Sequence, residues 1–382
     1  MRFIHTADWH LGKFFKNQSL IEDQQYILKK FLEIVDEQKV DAIIIAGDIY
    51  DRNIPTEDAV NLFDWVLNEL ILERNLHVLC IAGNHDSEVR LNFGNKLFAN
   101  TNFHIRAKLQ DVNEPVILND EYGEIYFSLI PYFDPPRVKA AFKNEEEESE
   151  DDDEKNLTYD EACQILVEYA RSKIPDNSRS IAVTHAFIVG GKESGSERKL
   201  PGGLIPVKPA HFQKYNYTAL GHLHGSTQTN SKVRYSGSLL KYSFDEWKQN
   251  KSLTLVEIDG DGNLNINNNF PLIPLHEVRV IKGAVRDILE NESESDDYIS
   301  VQYEGIMFQN QNNQLRQKFK NLLEIKPIDR VLSRTVENAR QRENKSNVEK
   351  FTNFYQDTTG KNMTGEELAV ITNLIEEMER GN

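Results

Sequence analysis

Near-continuous apolar runs of strand length alternate with helical stripes over the first third of the chain. Phe3-Ile4-His5-Thr6-Ala7, Ala42-Ile43-Ile44-Ile45-Ala46 and Val78-Leu79-Cys80-Ile81-Ala82 read as strands covered on both faces. Between them, Ile27, Phe31, Ile34 and Val35 recur at helical spacing, as do Val60, Phe63, Val66, Leu67 and Leu70. This alternation predicts a parallel α/β unit. Ser19 and Glu22 read as a capping box for the first helix, and a long second helix is expected over 56–72 after Pro55. From about 103 the pattern changes to short strands, including Ile125 to Tyr132, which Pro135-Pro136 stops. Thr158 and Glu161 predict a capped helix with Ala162, Ile165, Leu166 and Tyr169 on its inner face. A strand leads to His185, the glycine-rich stretch 186–210 reads as a long loop, and further strands run from 217 to about 270.

Pro271 and Pro274 mark a boundary, giving expected domains at 1–272, 273–340 and 341–382. The middle one reads as a small α+β module: strand Val278 to Ile281, helix Val285 to Leu289, strand Tyr298 to Tyr303, helix Gln314 to Leu323, strand Arg330 to Val336. The tail predicts a helix over 346–356 with Val348, Phe351, Phe354 and Tyr355. A second helix, over 364–380, follows a Thr364/Glu367 capping box and carries Leu368, Ile371, Leu374, Ile375 and Met378. Amphipathic helices with so little chain left to cover them belong in a partner's groove.

Composition changes the picture in two respects. No apolar run approaches membrane-span length, the chain starts directly on a strand without a signal-peptide pattern, and Cys80 and Cys163 fall on buried faces. A cytosolic protein without a membrane partner and with two reduced thiols is expected. The net charge of −17 speaks against a polyanionic partner unless local positive potential offsets it. Nine of the acidic residues sit in 145–154, a low-complexity run read as a solvated loop. Within 311–350, by contrast, ten Lys and Arg oppose five Asp and Glu, and Arg316, Lys318 and Lys320 are candidate nucleic-acid contacts.

The chemistry lies just past the strand ends, where side chains of an α/β sheet converge on one crevice. Asp8 and His10 follow the first strand and Asp48 the second. Asn84, His85 and Asp86 follow the third, and His185, His222 and His224 follow two later ones. Asp, His and Asn without Cys describe an oxygen- and nitrogen-rich metal site. Seven candidate ligands (Asp8, His10, Asp48, Asn84, His185, His222 and His224) exceed what one ion takes, and suit two six-coordinate divalent ions sharing Asp48. Such a pair serves in-line phosphoryl displacement, and the ligand types suit Mn²⁺, Fe or Zn²⁺. His85 falls one position off the metal ligands, toward substrate, with Asp86 or another carboxylate to orient its ring; these two are the catalytic candidates. His5 alternates with its strand neighbours and reads as structural, and His77, His104, His211 and His276 lie outside the motifs.

Asp8-x-His10, Gly47-Asp48-x-x-Asp51, Gly83-Asn84-His85-Asp86, His185 and Gly221-His222-x-His224 resemble the motifs of the calcineurin-like metallophosphoesterases. HTADWHLGK at 5–13, SGSER at 194–198, YTALGHLH at 217–224 and RYSGSLLKYSF at 234–244 are similar, more narrowly, to a nuclease branch of that superfamily. The resemblance implies a β-sandwich flanked by helices. One metal would be held by Asp8, His10, Asp48 and His224, and a second by Asp48, Asn84, His185 and His222, with His85 as the catalytic histidine. It further implies two Mn²⁺ ions and 3′→5′ exonuclease and endonuclease action on DNA. Assembly would be a homodimer, with contacts near helix 56–72, and a heterotetramer with a coiled-coil ABC-type ATPase. The module at 273–340 would take the DNA-capping position and 341–382 the ATPase-docking position. The acidic run 145–154 and Gly195 depart from the family pattern without touching the expected ligands. Two other readings stay open: a phosphomonoesterase or cyclic-nucleotide phosphodiesterase of the same fold, and a non-catalytic scaffold, which would be expected to have lost ligands.

Overall fold

The computed structural model describes the chain apart from residues 99–100, 143–156, 192–193, 198–205, 329–347, 350, 353–354, 356–361 and 381–382. Contacts divide it into two compact units, one of Met1–Val280, Ser295–Ser300 and Phe319–Leu323, the other of Ile281–Glu294, Val301–Lys318 and Glu324–Asn382.

The first unit is built on two six-stranded sheets. One runs Leu264–Pro271, Ser252–Ile258, Arg2–Thr6, Ala42–Ile45, His77–Ile81, Phe103–Arg106. Its last four strands are parallel, as the strand–helix alternation predicts. The other runs Thr227–Gln228, Val233–Tyr235, Tyr217–Gly221, Arg179–His185, Gly123–Ile130, Val116–Asp120, with four central strands in parallel.

Strand side chains alternate in direction, which gives each sheet two covered faces. Phe3, Ala42, Ile44, Leu79 and Ile81 of one sheet share a buried layer with Phe127, Ile181, Val183 and Ala219 of the other. The intervening residues Ile4, Ile43, Ile45, Val78 and Cys80 pack outward under Ile27, Phe31, Phe63 and Val66 of helices Ile21–Gln38 and Glu57–Asn68. On the opposite outer face, Ala182 and Leu220 lie under Ala162, Cys163 and Leu166 of helix Tyr159–Arg171. The result is the expected sandwich flanked by helices. Both thiols are buried and free. His5 crosses the inner layer, with Nδ1 2.9 Å from the Tyr217 hydroxyl and Nε2 3.1 Å from the Leu220 carbonyl, a structural role as read.

Several local expectations need correction. The first helix starts after Leu20 rather than Ser19 and has no side-chain cap at Leu20. Ser19 pairs with Phe14 in a two-strand hairpin, and its hydroxyl accepts the Ile21 N–H at 3.4 Å in place of the expected box with Glu22. Thr56 caps the second helix, which passes into a π-helical turn at Glu69–Glu73. The Thr158/Glu161 and Thr364/Glu367 boxes form as expected. In the region of the small module the strands Val278–Ala284, Tyr298–Glu304 and Leu322–Pro327 form one sheet in that order, with helices Val285–Asn291 and Gln309–Lys318. Leu322 and Leu323, read as helical, are therefore in a strand: short apolar runs carry no period that separates the two. The acidic run 145–154, the expected strand at 330–336 and most of the expected helix at 346–356 lie outside the described residues. No helix among the described residues is long and apolar enough to cross a membrane.

Candidate metal centre

The strand ends meet because their turns are stitched together. Asp8 N donates to the Gly47 carbonyl at 3.0 Å and His10 N to the Asp48 carbonyl at 2.9 Å, joining the turns after the first two strands. Asp8, His10, Asp48 and His222 all have positive φ, at 54°, 45°, 50° and 100°. Non-glycine residues hold such conformations only when the surroundings fix them, as happens at functional sites. Close approach sets two glycines. A Cβ on Gly221 would strike the Ala46 carbonyl, and one on Gly83 would strike the Asp48 carboxylate.

All seven expected ligands converge in this crevice, and all but Asn84 are buried. His10 Nε2 and His224 Nε2 face each other at 3.0 Å. His185 Nε2 lies 2.9 Å and His222 Nδ1 3.3 Å from Asn84 Oδ1. Asp48 Oδ2 sits between the two groups, 3.6 Å from His10 Nε2 and 3.5 Å from His185 Nε2. Ligand atoms of Asp8, His10 and His224, and of Asp8, Asp48 and His185, all lie within 4.8 Å of one another. Asp8 belongs to both triads, so it approaches the middle of the crevice along with Asp48. His222 donates its backbone N–H to both Asp8 oxygens, at 3.0 and 3.2 Å.

The donor chemistry fits divalent cations. His222 Nε2 is buried without a hydrogen-bond partner. His185 commits Nδ1 to the Ala46 carbonyl at 2.9 Å, which turns Nε2 into the crevice, where it offers a lone pair to a cation once its proton is displaced. Two facing imidazole nitrogens and two buried carboxylates, Asp8 and Asp48, make a donor-rich crevice whose charge a divalent cation would compensate. Burial lowers His10 and His222 to about 3, so both rings are neutral at pH 7, the form a metal ion would require. Burial also works against charge on His185 and Asp48. Their mutual attraction overcomes it, raising His185 to about 9 and holding Asp48 well below the usual carboxylate range.

Burial pushes Asp8 up to about 7, with His185 and His224 opposing it. The folded metal-free protein thus keeps a proton that the unfolded chain has released by about pH 4. The contribution of Asp8 to stability should therefore fall as pH rises from about 4 to about 7, while the depressed His10 and His222 contribute in the opposite sense as pH rises from about 3 to about 6.5. Mn²⁺ uptake, which needs the ionised carboxylate, should strengthen over the same window. Calorimetric titration in buffers of different ionisation enthalpy should detect more proton release on Mn²⁺ binding near pH 6, where Asp8 and His185 both give one up, than near pH 8, where His185 alone does. Equal release at both would mean that Asp8 is already ionised.

His85 lies beside the crevice, its ring edge-on to His10 with centroids 4.8 Å apart. Its backbone N–H donates to Asp48 Oδ1 at 2.8 Å and its Nδ1 faces the Asp51 carbonyl at 2.9 Å. Asp86, expected as a catalytic carboxylate or orienting partner, has a different place. Its oxygens accept from the backbone N–H groups of Ile49, Tyr50 and Gly83 at 3.1, 2.9 and 2.9 Å, tying two strand-end turns together. A carboxylate so engaged is scaffold, and the ring is oriented by the Asp51 main chain instead. Asp51 was visible only as the last member of a motif. Its side chain accepts from Lys13 Nζ at 2.6 Å and lies 3.5 Å from His10 Nδ1. Ser196, Glu246 and Lys251, which gather behind His224, gave no chemical signal in the sequence.

Of the candidate nucleic-acid contacts, Arg316 is exposed and donates Nε to Asn312 Oδ1 at 2.9 Å. Lys318 Nζ donates to the Leu289 carbonyl at 2.6 Å, and the exposed Lys320 lies 3.5 Å from Asp296.

A two-sheet sandwich with an Asp/His/Asn crevice at its strand ends defines a metal-dependent phosphoesterase. The family model for calcineurin-like phosphoesterases matches residues 1–226, and the chain belongs to that family. It is similar to the SbcD subunit of the SbcCD nuclease of Staphylococcus epidermidis (strain ATCC 12228 / FDA PCI 1200), 35% identical over 328 residues that cover 85% of this chain and 80% of that protein. The protein of the same name from Staphylococcus saprophyticus subsp. saprophyticus is 37% identical over 297 residues, covering 77% and 75%. A crystal structure of TT1561 from Thermus thermophilus aligns with 70% of this chain and 98% of its own at 14% identity and a TM-score of 0.39, too distant a likeness to bear on function.

Proposed function

We propose that the chain is a Mn²⁺-dependent DNA nuclease, cleaving phosphodiesters as a 3′→5′ exonuclease and endonuclease. It works with an SbcC-type coiled-coil ATPase on DNA ends and hairpins in repair and recombination in the cytoplasm. The observation that carries this reading is the convergence of all seven ligand candidates on one crevice, with His85 at its edge, in a chain similar to two SbcCD nuclease subunits. Asp8, His10, Asp48 and His224 would hold one ion, and Asp48, Asn84, His185 and His222 the other. When bound, such a pair supplies an activated water and neutralises phosphate charge. The chain's own residues do the rest. Asp48, fixed by the His85 backbone N–H, is aimed between the two ligand groups. His85 Nδ1 is committed to the Asp51 carbonyl, which leaves Nε2 to exchange a proton with a substrate oxygen. Nuclease assays on linear and hairpin duplexes, with and without Mn²⁺ and the ATPase, test the proposal. Hydrolysis of small phosphomonoesters with no cleavage of DNA would overturn it in favour of the monoesterase reading.

The region 273–340 serves as the DNA-capping module, with Arg316, Lys318 and Lys320 as phosphate contacts, and 341–382 as the ATPase-docking tail. Helix Gly365–Arg380 has exposed Leu368, Val370 and Leu374, in keeping with such docking. A chain ending near residue 342 is expected to retain Mn²⁺-dependent cleavage of simple ends and to lose co-purification with the ATPase. Undiminished co-purification would move the docking surface elsewhere. Light scattering of the full chain reports the homodimer of this proposal, for which helix Glu57–Asn68 offers the exposed Val60.

A further inference from the structure

Two of the sequence stretches without a chemical role, residues 194–197 and the segment following RYSGSLLKYSF, meet behind His224. Ser196 Oγ lies 2.6 Å from His224 Nδ1, and its hydroxyl donates to Glu246 Oε1, which is itself 3.2 Å from the same nitrogen. The other oxygen of Glu246 accepts from Lys251 Nζ at 2.6 Å. Lys251 also donates to the His224 carbonyl at 2.8 Å and to Ser238 Oγ at 2.9 Å. Glu197 Oε1 takes the His224 backbone N–H at 3.1 Å. Each of these side chains is at least nine-tenths buried or lies against one that is: Glu246 is 0% exposed, His224 1%, Ser238 2%, Lys251 7% and Glu197 8%.

The proton positions follow from the donors. Lys251 has only protons to give and Glu246, beside it, has only lone pairs. The Ser196 proton goes to Glu246, so both atoms facing His224 Nδ1 are acceptors. Nδ1 must then carry the ring proton, which leaves the Nε2 lone pair facing His10 Nε2 at 3.0 Å. We propose that Glu246, held by Lys251, and Ser196 form a brace that fixes the tautomer and angle of the His224 ring and so sets the affinity of the metal position it serves. These are positioning residues acting through His224, and the inference rests on the reading of His224 as a ligand. A carboxylate behind a histidine ligand raises its basicity and holds it in place, and losing one typically weakens metal binding 10–100-fold. Lys251 Nζ, 2.6 Å from the second oxygen of Glu246, supplies the counter-charge for the buried carboxylate.

The test is Mn²⁺ titration of the full-length protein by calorimetry, comparing wild type with Ser196→Ala, Glu246→Gln and His224→Ala. In Glu246→Gln one of two Mn²⁺ positions should weaken about 10–100-fold. Ser196→Ala should weaken the same position less, since Glu246 still reaches Nδ1. The other position should keep its constant in both, which a general loss of structure would not allow. The brace is overturned if both variants bind two Mn²⁺ with wild-type constants while His224→Ala loses one. If His224→Ala also binds two with wild-type constants, the ligand assignment itself has failed. Should Glu246→Gln not fold, with Lys251 left buried without its counter-ion, Ser196→Ala decides alone, because it removes no charge.

Discussion

In Asp48→Asn, the thermal stabilisation that Mn²⁺ gives the wild-type protein should disappear, and DNA cleavage should fall to background. Asp48 Oδ2 lies between His10 and His185, one from each expected ligand group. An amide in its place offers one neutral oxygen where two cations would need a shared anion. Ligand binding stabilises by RT ln(1 + [L]/Kd), about 2.7 kcal/mol at a metal concentration of about 100 Kd, and that increment is what the variant loses. The metal-free variant should fold, because Asn retains an oxygen for the His85 N–H that Asp48 Oδ1 accepts at 2.8 Å. It also removes one of two neighbouring buried carboxylates, Asp8 being the other, and His185, losing its counter-ion, can shed its proton rather than stay charged. Melting curves with and without saturating Mn²⁺, read beside metal analysis, check this. A variant that keeps two ions would overturn the Asp48 bridge and point to Asp8, which is common to the triads with His10 and His224 and with Asp48 and His185.

His85→Ala should separate binding from chemistry. Turnover should drop about 10²–10⁴-fold, the usual contribution of a positioned acid or base. Both Mn²⁺ ions and the affinity for DNA should remain. The structural reason is that His85 steadies Asp48 through its backbone N–H, which alanine keeps, while the ring contributes Nε2 at the crevice edge. The ring also lies within ligand distance of His10 and Asp51. Loss of an ion in His85→Ala would therefore make it a ligand, and metal content must be measured alongside rate.

The sequence by itself determined the strands and helices that flank the crevice and named the residues that the fold brings together there. Strand length, helical period and strand-end position are local properties, and each metal-ligand candidate lies at or just past the end of a buried apolar strand. Reading the ends of five strands was therefore enough to collect Asp8, His10, Asp48, Asn84, His185, His222 and His224. The tertiary structure decided what surrounds them. Asp86 is adjacent to His85 in the chain, yet it is drawn to three backbone N–H groups, and the Asp51 carbonyl, 34 positions from His85, meets the ring instead. The His224 brace draws on Ser196 and Glu246, 28 and 22 positions away, and on Lys251 beyond them. Such contacts leave no period in the sequence. A buried polar group takes whichever partner the packed fold brings within about 3 Å, and that partner is fixed only once the sheets have closed.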